Sequence, residues 1–233
     1  ADRMPRVDRH GNVQAGGSIE VDLRKGDFDT LIESVMMNEW DDSPTNLPDV
    51  IKVGTTQKFL TMEDAAADIT QFRLFTGLSA SSMNVSIAPN QMVSTTFDMV
   101  GKTMVQAQTT GSTGGTPTES SANAPFDSYS GTITDGGTGI AIVTSIDFSV
   151  TNSFAPTFVV GSSAAQSLEF GRAVVEGTMT VYYQDATLIN KFLNETESAI
   201  VINVNDPTSA SQYTFTFPRV KYNGASVPLQ NPQ

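Results

Sequence analysis

The residue types that catalyse reactions or bind metals are scarce in this sequence. It contains no cysteine and a single histidine, His10, which lies in a polar N-terminal stretch. A Ser-His-Asp triad would have to bring that stretch to a distant serine, and one histidine cannot build a metal cage. We therefore interpret His10 as a solvated or interface side chain, and the sequence predicts no catalytic residue.

Glycine-rich and acidic segments are the next candidates for a site. Asp135-Gly136-Gly137-Thr138-Gly139 joins two predicted strands and does not open a helix, which favours a hairpin turn over a phosphate-binding loop. The acidic pairs Asp41-Asp42 and Glu63-Asp64 do not have the spacing of a calcium loop, so we interpret them as solvated. The sequence predicts no metal site and no cofactor.

Hydrolysis by paired carboxylates stays open as an alternative. The chain has 25 acidic residues, but no two of them stand out as a pair. Carbohydrate clefts are usually rich in tryptophan, whereas Trp40 is the only tryptophan here. A monomeric β-sandwich binding module or a carbohydrate-active hydrolase is therefore the alternative function, because a fold alone excludes neither.

The charge balance argues against a protein that binds nucleic acid through its phosphates. The chain has 13 basic residues against 25 acidic ones, which gives a net charge of -12 and a pI near 4.3. Nucleic-acid binding proteins neutralise phosphates with Lys and Arg. Repulsion of DNA is a function that such a chain can have. No apolar run approaches the ~20 residues needed to cross a bilayer, so no membrane partner is expected.

In the first half of the chain, short β patterns surround one helix. Alternating apolar residues predict a strand at 19–24, and Asp27 is a candidate N-cap for a helix that begins at Phe28 and carries one apolar stripe. Further strands are predicted at 50–53, 57–62, 72–78, 83–87 and 92–106. Residues 106–125 contain no large aliphatic or aromatic side chain and a single charge, Glu119, which indicates a long functional loop.

The second half contains the longest predicted strands. Apolar residues at even positions predict a strand over Ile140–Thr151, and a second long strand is predicted over Arg172–Gln184. Asp185 is a candidate cap for a short helix. The last strands are predicted at 199–204 and 213–222, where Pro218 indicates a bulge or an edge position.

These elements predict a mainly β fold. About ten strands without a βα repeat favour an antiparallel β-sandwich or barrel with one flanking α-helix and a second short helix. We expect an N-terminal arm at 1–18 and a single domain at 19–233 that includes the loop at 106–125. Because the sequence starts at Ala1 without an initiator Met, we expect it to be part of a longer polypeptide.

Short segments in a consistent order resemble phage tail tube proteins of the long, non-contractile siphophage type. They are Gly17-Ser18-Ile19-Glu20 through Leu31-Ile32; Ile51-Lys52-Val53-Gly54-Thr55-Thr56; Phe72-Arg73-Leu74-Phe75-Thr76-Gly77 with Val85-Ser86-Ile87-Ala88-Pro89-Asn90; Gly139-Ile140-Ala141-Ile142-Val143-Thr144-Ser145; Phe170-Gly171-Arg172; and Pro218-Arg219-Val220-Lys221-Tyr222-Asn223-Gly224. The resemblance covers nearly the whole chain. Members of this family usually begin further upstream and continue past the segment that resembles Tyr222–Pro228, so we expect one sandwich edge to be completed either by a further part of the polypeptide or by a neighbour.

The resemblance implies a non-enzymatic structural subunit. In that family six copies form a ring, rings stack into a tube, and inner sheets of neighbours join into a barrel around the lumen; the fold recurs in contractile tails and type VI secretion tubes. The tape measure protein and phage DNA then pass through the lumen without specific binding. The protein is expected in the virion tail, after assembly in the host cytoplasm.

Two sets of residues are candidates for roles in such a tube. Asp98, Asp147 and Glu176 lie on polar faces of predicted strands, and we expect at least two of them to line the lumen; alternation alone does not distinguish lumen from exterior. Six copies at -12 give 6 × (-12) = -72 per ring, which repels DNA. Candidates for ring-to-ring contacts are Arg3, Arg6, Arg9, Thr110, Thr116 and Glu119.

Overall fold

The computed structural model describes residues 11–41, 49–108, 120–206 and 211–227. Within these ranges the chain is mainly β, as predicted. The strands are β1 (Ala15–Asp22), β2 (Leu60–Ala66), β3 (Gln71–Ile87), β4 (Ser94–Gly101), β5 (Thr103–Gln108), β6 (Thr132–Asp135), β7 (Thr138–Gly139), β8 (Val143–Thr157), β9 (Ser167–Val181), β10 (Ser198–Asn205) and β11 (Gln212–Val220). The helices are α1 (Asp29–Met36) and α2 (Thr187–Leu193), and Ala67–Ile69 forms a 3₁₀ turn.

The larger sheet is built around β3. Its antiparallel strands follow the order β1-β4-β3-β8-β9, while β2 and β5 pair with the first half of β3. Separate strands at 72–78 and 83–87 were a wrong prediction, since β3 is one strand of 17 residues. The small polar residues between the two apolar segments continue the pairing, with a bulge between Ala80 and Ser82.

Other strand boundaries also differ from the prediction. The segment 92–106 is divided at Lys102 into β4 and β5. Of the strand expected at 50–53 only an isolated bridge at Val50 is formed, and the strand expected at 57–62 is replaced by β2, which begins at Leu60. β1 begins at Ala15 because Gly16 and Gly17 pair with β4 although they have no side chain to pack. Both long strands of the second half are shifted: residues 141–142 form a turn, and β8 continues to Thr157.

The smaller sheet has the order β11-β10-β6-β7. The predicted hairpin turn is confirmed: Gly136 and Gly137 connect β6 to β7 with φ of 61° and 81°, which glycine adopts without steric cost. The prediction for Pro218 is also confirmed. It lies in the edge strand β11, next to a register shift against β10.

The two sheets face each other as a sandwich, and the described strands do not close into a barrel. Buried Phe97 of β4 and Phe148 of β8 lie in the same core cluster as Ile202 of β10. The ring of Phe148 lies 4.9 Å from that of Phe215 and 5.1 Å from that of Phe217, both on β11. Helix α1 adds its own buried apolar side chains to this core.

Neither predicted capping residue occupies the N-cap position of its helix. Asp27 as the N-cap of α1 was wrong: Phe28 occupies that position without a side-chain cap, because the Asp27 carboxylate accepts the N–H of Ser121 instead. At α2 the Asp185 carboxylate accepts the N–H of Thr187 at 2.8 Å, as expected of a capping residue, although Ala186 holds the cap position.

Candidate functional site

One face of the larger sheet is polar across five neighbouring strands. The opposite face carries the core, and because side chains alternate along a strand, the polar set points away from it. The register aligns these residues in rows. One row contains Glu20, Thr96, Asn84, Ser149 and Glu176 in the order of the strands. The next row contains Asp22, Ser94, Ser86, Asp147 and Thr178.

Five carboxylates project from this surface, which we call the acidic face. Its acidic residues are Glu20, Asp22, Asp98, Asp147 and Glu176. The five strands contain two arginines, Arg73 and Arg172, which lie outside the aligned rows: Arg73 is in the β2–β3–β5 extension, and Arg172 is at the register shift opposite Ser153. The face is therefore an array of negative charge among hydroxyl and amide side chains.

Neutral hydroxyls hold two of these carboxylates in place. Ser18 and Ser82 donate hydrogen bonds to Asp98 from the strands on either side of β4, at 2.5 and 2.6 Å. Ser86 donates to Asp147 across β3 and β8 at 2.6 Å. Within residues 11–41, 49–108, 120–206 and 211–227, no ion pair joins a lysine or arginine to an acid of this face. Both carboxylates are therefore held in position by neutral partners.

The exposed face of the smaller sheet is different. Thr132, Asn203 and Thr214 lie side by side on it, with the Asn203 amide donating to Thr132 at 3.0 Å and accepting from Thr214 at 2.7 Å. The outward positions of β10 and of the paired segments of β6 and β11 contain no charged residue, and Arg219, exposed at the register shift of β11, is paired with Glu197 at 2.8 Å. The two exposed sheet faces thus differ in charge, and only one can repel an anion.

The structure brings the three predicted acids to one surface. Asp98, Asp147 and Glu176 come from β4, β8 and β9 and all belong to the acidic face. Glu20 and Asp22 were missed as candidates, although their alternation with apolar residues was visible; the missing information was that β1 pairs with β4. The proposed ring-to-ring residues Arg3, Arg6, Arg9, Thr110, Thr116 and Glu119 lie outside the described residues, as does His10.

A second polar cluster is buried at the far end of the smaller sheet. Asp135 accepts hydrogen bonds from Ser198 and from Tyr222, the latter at 3.1 Å, and pairs with Lys191 of α2 at 2.7 Å. Burial opposes ionisation, but the hydrogen bonds and the Lys191 charge outweigh it and lower the pKa of Asp135. Burial, together with the charge of Asp135, raises the pKa of Tyr222.

This cluster does not activate a nucleophile. The Lys191 ammonium donates to Ser198 at 3.0 Å, yet it is ion-paired with Asp135, so it is not a free base for the serine. The Ser198 hydroxyl donates to Asp135, whose lowered pKa makes it a poor proton acceptor. The cluster instead ties α2, two strands of the smaller sheet and the segment at Tyr222 together.

The described parts of the chain offer little for other kinds of site. They contain no group of three or more His, Cys, Asp and Glu side chains arranged to hold a metal ion. No helix in those parts is long and apolar enough to span a membrane.

The fold and the acidic face define a mainly β sandwich protein with one charged and one neutral exposed sheet. The chain belongs to the phage tail tube protein family, whose family model matches residues 1–233. No curated protein matches the sequence. Membership makes the protein a structural component of the virion tail that assembles into a multimeric tube.

Proposed function

We propose that six copies of this protein form a ring, that rings stack into the tail tube, and that the acidic face lines the lumen through which the genome passes during ejection. The observation that carries the proposal is the concentration of five carboxylates on one sheet face without a base in the aligned rows. In six copies the wall has 6 × 5 = 30 such carboxylates per ring.

The charge of this face supports its assignment to the lumen. DNA that moves through a tube must not adhere to the wall, and binding of DNA depends on cationic side chains that release its counterions. A wall of fixed carboxylates repels phosphates instead. The exposed face of the smaller sheet, where Arg219 is paired with Glu197, carries no net negative charge and supplies no such repulsion, which favours its placement on the exterior.

Open strand edges support closure by neighbouring copies. Among the described strands, β1 pairs only with β4 and β9 only with β8, so each keeps one unpaired edge. Exposed edges are aggregation hazards unless another chain covers them. A closed ring covers both edges when β9 of one copy meets β1 of the next. The number six comes from the resemblance to the family.

The remaining parts of the proposal follow from this arrangement. The tape measure protein occupies the lumen before DNA, and neither is bound specifically, since an even array of like charge offers no distinct pocket. Assembly takes place in the host cytoplasm. We keep the predicted arm at 1–18 and the predicted loop at 106–125 as candidates for ring-to-ring contacts, except for residues 15–18 and 106–108, which belong to β1 and β5. A single sandwich domain spans residues 19–233 and includes this loop.

Electron cryomicroscopy of assembled tubes tests the proposal. The expected map shows sixfold rings with β1, β4, β3, β8 and β9 nearest the axis and Asp147 facing the channel. A map with the Thr132 face toward the axis overturns the lumen assignment. A persistent monomer with hydrolytic activity overturns the structural role altogether in favour of the binding-module or hydrolase alternative.

A further inference from the structure

The β8–β9 hairpin ends in an exposed apolar tip. The tip comprises residues 158–162, in which Val159 is 48% exposed and Val160 is 106% exposed. Turns normally use Gly, Asn, Asp, Ser or Pro, because these residues suit turn geometry and solvent. Two consecutive exposed valines bury little apolar surface against the described residues, which points to a role in binding another chain.

The tip is held in place. Ser162 closes a turn by donating its N–H to the Val159 carbonyl at 3.3 Å. Below the turn, Gln166 donates its N–H to the Thr157 carbonyl at 2.8 Å, and Lys102 donates to the Gln166 carbonyl at 3.0 Å. Val13 donates its N–H to the Ser163 carbonyl at 2.7 Å from the other side. A preorganised tip loses little entropy when it docks.

The opposite end of the same hairpin exposes two aromatic rings. Tyr182 and Tyr183 follow β9 directly and are 71% and 63% exposed. The Tyr182 N–H donates to the Ile142 carbonyl at 2.9 Å, so the pairing of the two strands continues to this point and fixes the backbone. Tyrosine is enriched in interfaces because its ring buries a large apolar area while its hydroxyl remains hydrated.

Neither end of the hairpin carries a charged side chain of its own, in a chain of net charge -12, and the Lys102 ammonium lies at the base of the tip on the Gln166 carbonyl. Residues 153–168, around the tip, contain no charged side chain, and neither do residues 177–184 around the tyrosines. Two copies of an acidic protein repel each other where their carboxylates approach. Neutral segments at the two ends of one hairpin are the places where two copies can meet without that repulsion.

We propose that the Val159–Val160 tip of one copy docks on Tyr182 and Tyr183 of a second copy in the adjacent ring. The contact is heterologous, since it joins two different surfaces, and its repetition gives a filament with no fixed length. The inference rests on the proposed function in that it requires rings to stack. It adds the surfaces that join them and their apolar-aromatic chemistry.

Cysteine cross-linking tests the contact directly, because the natural chain has no cysteine. Val160→Cys combined with Tyr182→Cys, and Val160→Cys combined with Tyr183→Cys, are assembled into tubes and oxidised. A disulfide requires Cα atoms about 4.4–6.8 Å apart, so it forms only between touching surfaces. We expect at least one pair to give a covalent ladder on denaturing gels that extends beyond six subunits.

The matched control combines Val53→Cys with Tyr182→Cys, since Val53 is also an exposed valine, at 47%, and lies outside the hairpin. This control and each single-cysteine variant should give no species above a dimer. A ladder that stops at six places the contact within a ring and overturns the inference, as does the absence of cross-links in tubes of normal appearance. Both results leave the proposed conduit intact, whereas a wild-type chain that forms no tubes overturns both proposals.

A second variant measures the contact by its loss. Val160→Glu places a charge at the tip, so we expect folded subunits and rings but a severalfold shorter mean tube length. Val53→Glu should leave tube length unchanged. Normal tube length with Val160→Glu contradicts the inference, because a buried, unpaired carboxylate cannot be accommodated against tyrosine rings.

Discussion

At the scale of single residues, the buried polar cluster around Asp135 makes a measurable contribution to the free energy of unfolding. The Asp135 side chain is 3% exposed and pairs with Lys191, which is 22% exposed. In Asp135→Asn the ammonium loses its counter-charge, and removal of one partner of a buried pair destabilises a protein by about 3 kcal/mol. We expect this loss in the free energy of unfolding, measured by urea denaturation of the subunit.

Asp64→Asn is the matched control for that substitution. Asp64 pairs with Arg73 on the surface, where the two side chains are 47% and 52% exposed. Exposed pairs contribute little, so a change within about 0.5 kcal/mol is expected. Equal effects of the two substitutions would show that burial of Asp135 has no special consequence.

The same residue predicts a dependence of stability on pH. The pKa of Asp135 is lowered from its ordinary value of 3.8 in the folded chain, so its contribution is complete above that value and is lost as pH falls through the folded pKa. The stability difference between wild type and Asp135→Asn should therefore shrink below about pH 3.8. Urea denaturation between pH 2 and 6 measures it, and a difference that grows in acid contradicts the assignment.

At the scale of elements, α1 completes the hydrogen bonding of β3. The Ala80 N–H, at the β3 bulge, donates to the Ser34 hydroxyl at 3.0 Å in a buried environment, and that hydroxyl donates to the Lys58 carbonyl at 3.2 Å. Ser34→Ala leaves the N–H without its partner, which costs about 1–3 kcal/mol. Thermal or urea unfolding should show this loss. Ser163→Ala, at an exposed position, should be neutral, and similar losses for both would contradict the role of Ser34.

The loop predicted at 106–125 can now be tested with narrower bounds. Gln108 pairs with Phe72 in the sheet, and Ser121 donates its N–H to Asp27, so both ends belong to the described fold. We expect that replacing residues 109–119 with a Gly-Ser segment of equal length leaves the unfolding midpoint of the subunit unchanged but prevents tube growth. Electron microscopy measures growth, and full-length tubes would show that these residues are dispensable.

Strand existence was easier to predict from the sequence than strand extent. The alternation of apolar and polar residues around Phe148 and Thr178 identified β8 and β9, because one side of each strand carries apolar or partly buried residues. The ends were missed where pairing continues without a hydrophobic signal, as at Gly16, whose backbone approaches Met99 so closely that a Cβ atom would lie 2.7 Å from its carbonyl oxygen. Backbone pairing, which side-chain patterns do not report, decides these boundaries.

At the scale of the whole molecule, the acidic face predicts an effect on DNA ejection. Asp147→Lys combined with Glu176→Lys reverses part of the wall charge without touching the core, so tubes should form normally. Attraction to phosphates then slows ejection, and more strongly at low salt, where screening is weakest. Ejection rates from particles carrying the variant, measured across salt concentrations, test this expectation.

Two lysines on the other sheet provide the control. Thr132→Lys and Thr216→Lys add positive charge to the exposed face of the smaller sheet, which we assign to the exterior. Ejection should then match wild type at every salt concentration. Unchanged kinetics in the Asp147 and Glu176 variant at low ionic strength would count against an electrostatic role for the acidic face.

The candidate site shows the limit of sequence reasoning at this scale. Alternation placed Asp98, Asp147 and Glu176 on polar strand faces, yet it could not show that these faces belong to one surface. That depends on strand order, which brings β1 and β9 to opposite edges of the same sheet through pairings between residues far apart in the sequence. The orientation of the sheet in the tube depends on other copies, so it stays a prediction.

The continuous backbone of β9 has a mechanical consequence for the stacking contact proposed above. Within one subunit, tension between Val160 and Tyr182 is carried through the hairpin turn and then along the covalent chain of β9. It does not cross an interface between packed side chains. A strand rises about 3.3 Å per residue, and a fully extended chain reaches at most about 3.6 Å. The segment can therefore lengthen by only about a tenth, and a tail built from such segments bends or breaks at its ring junctions before its subunits stretch.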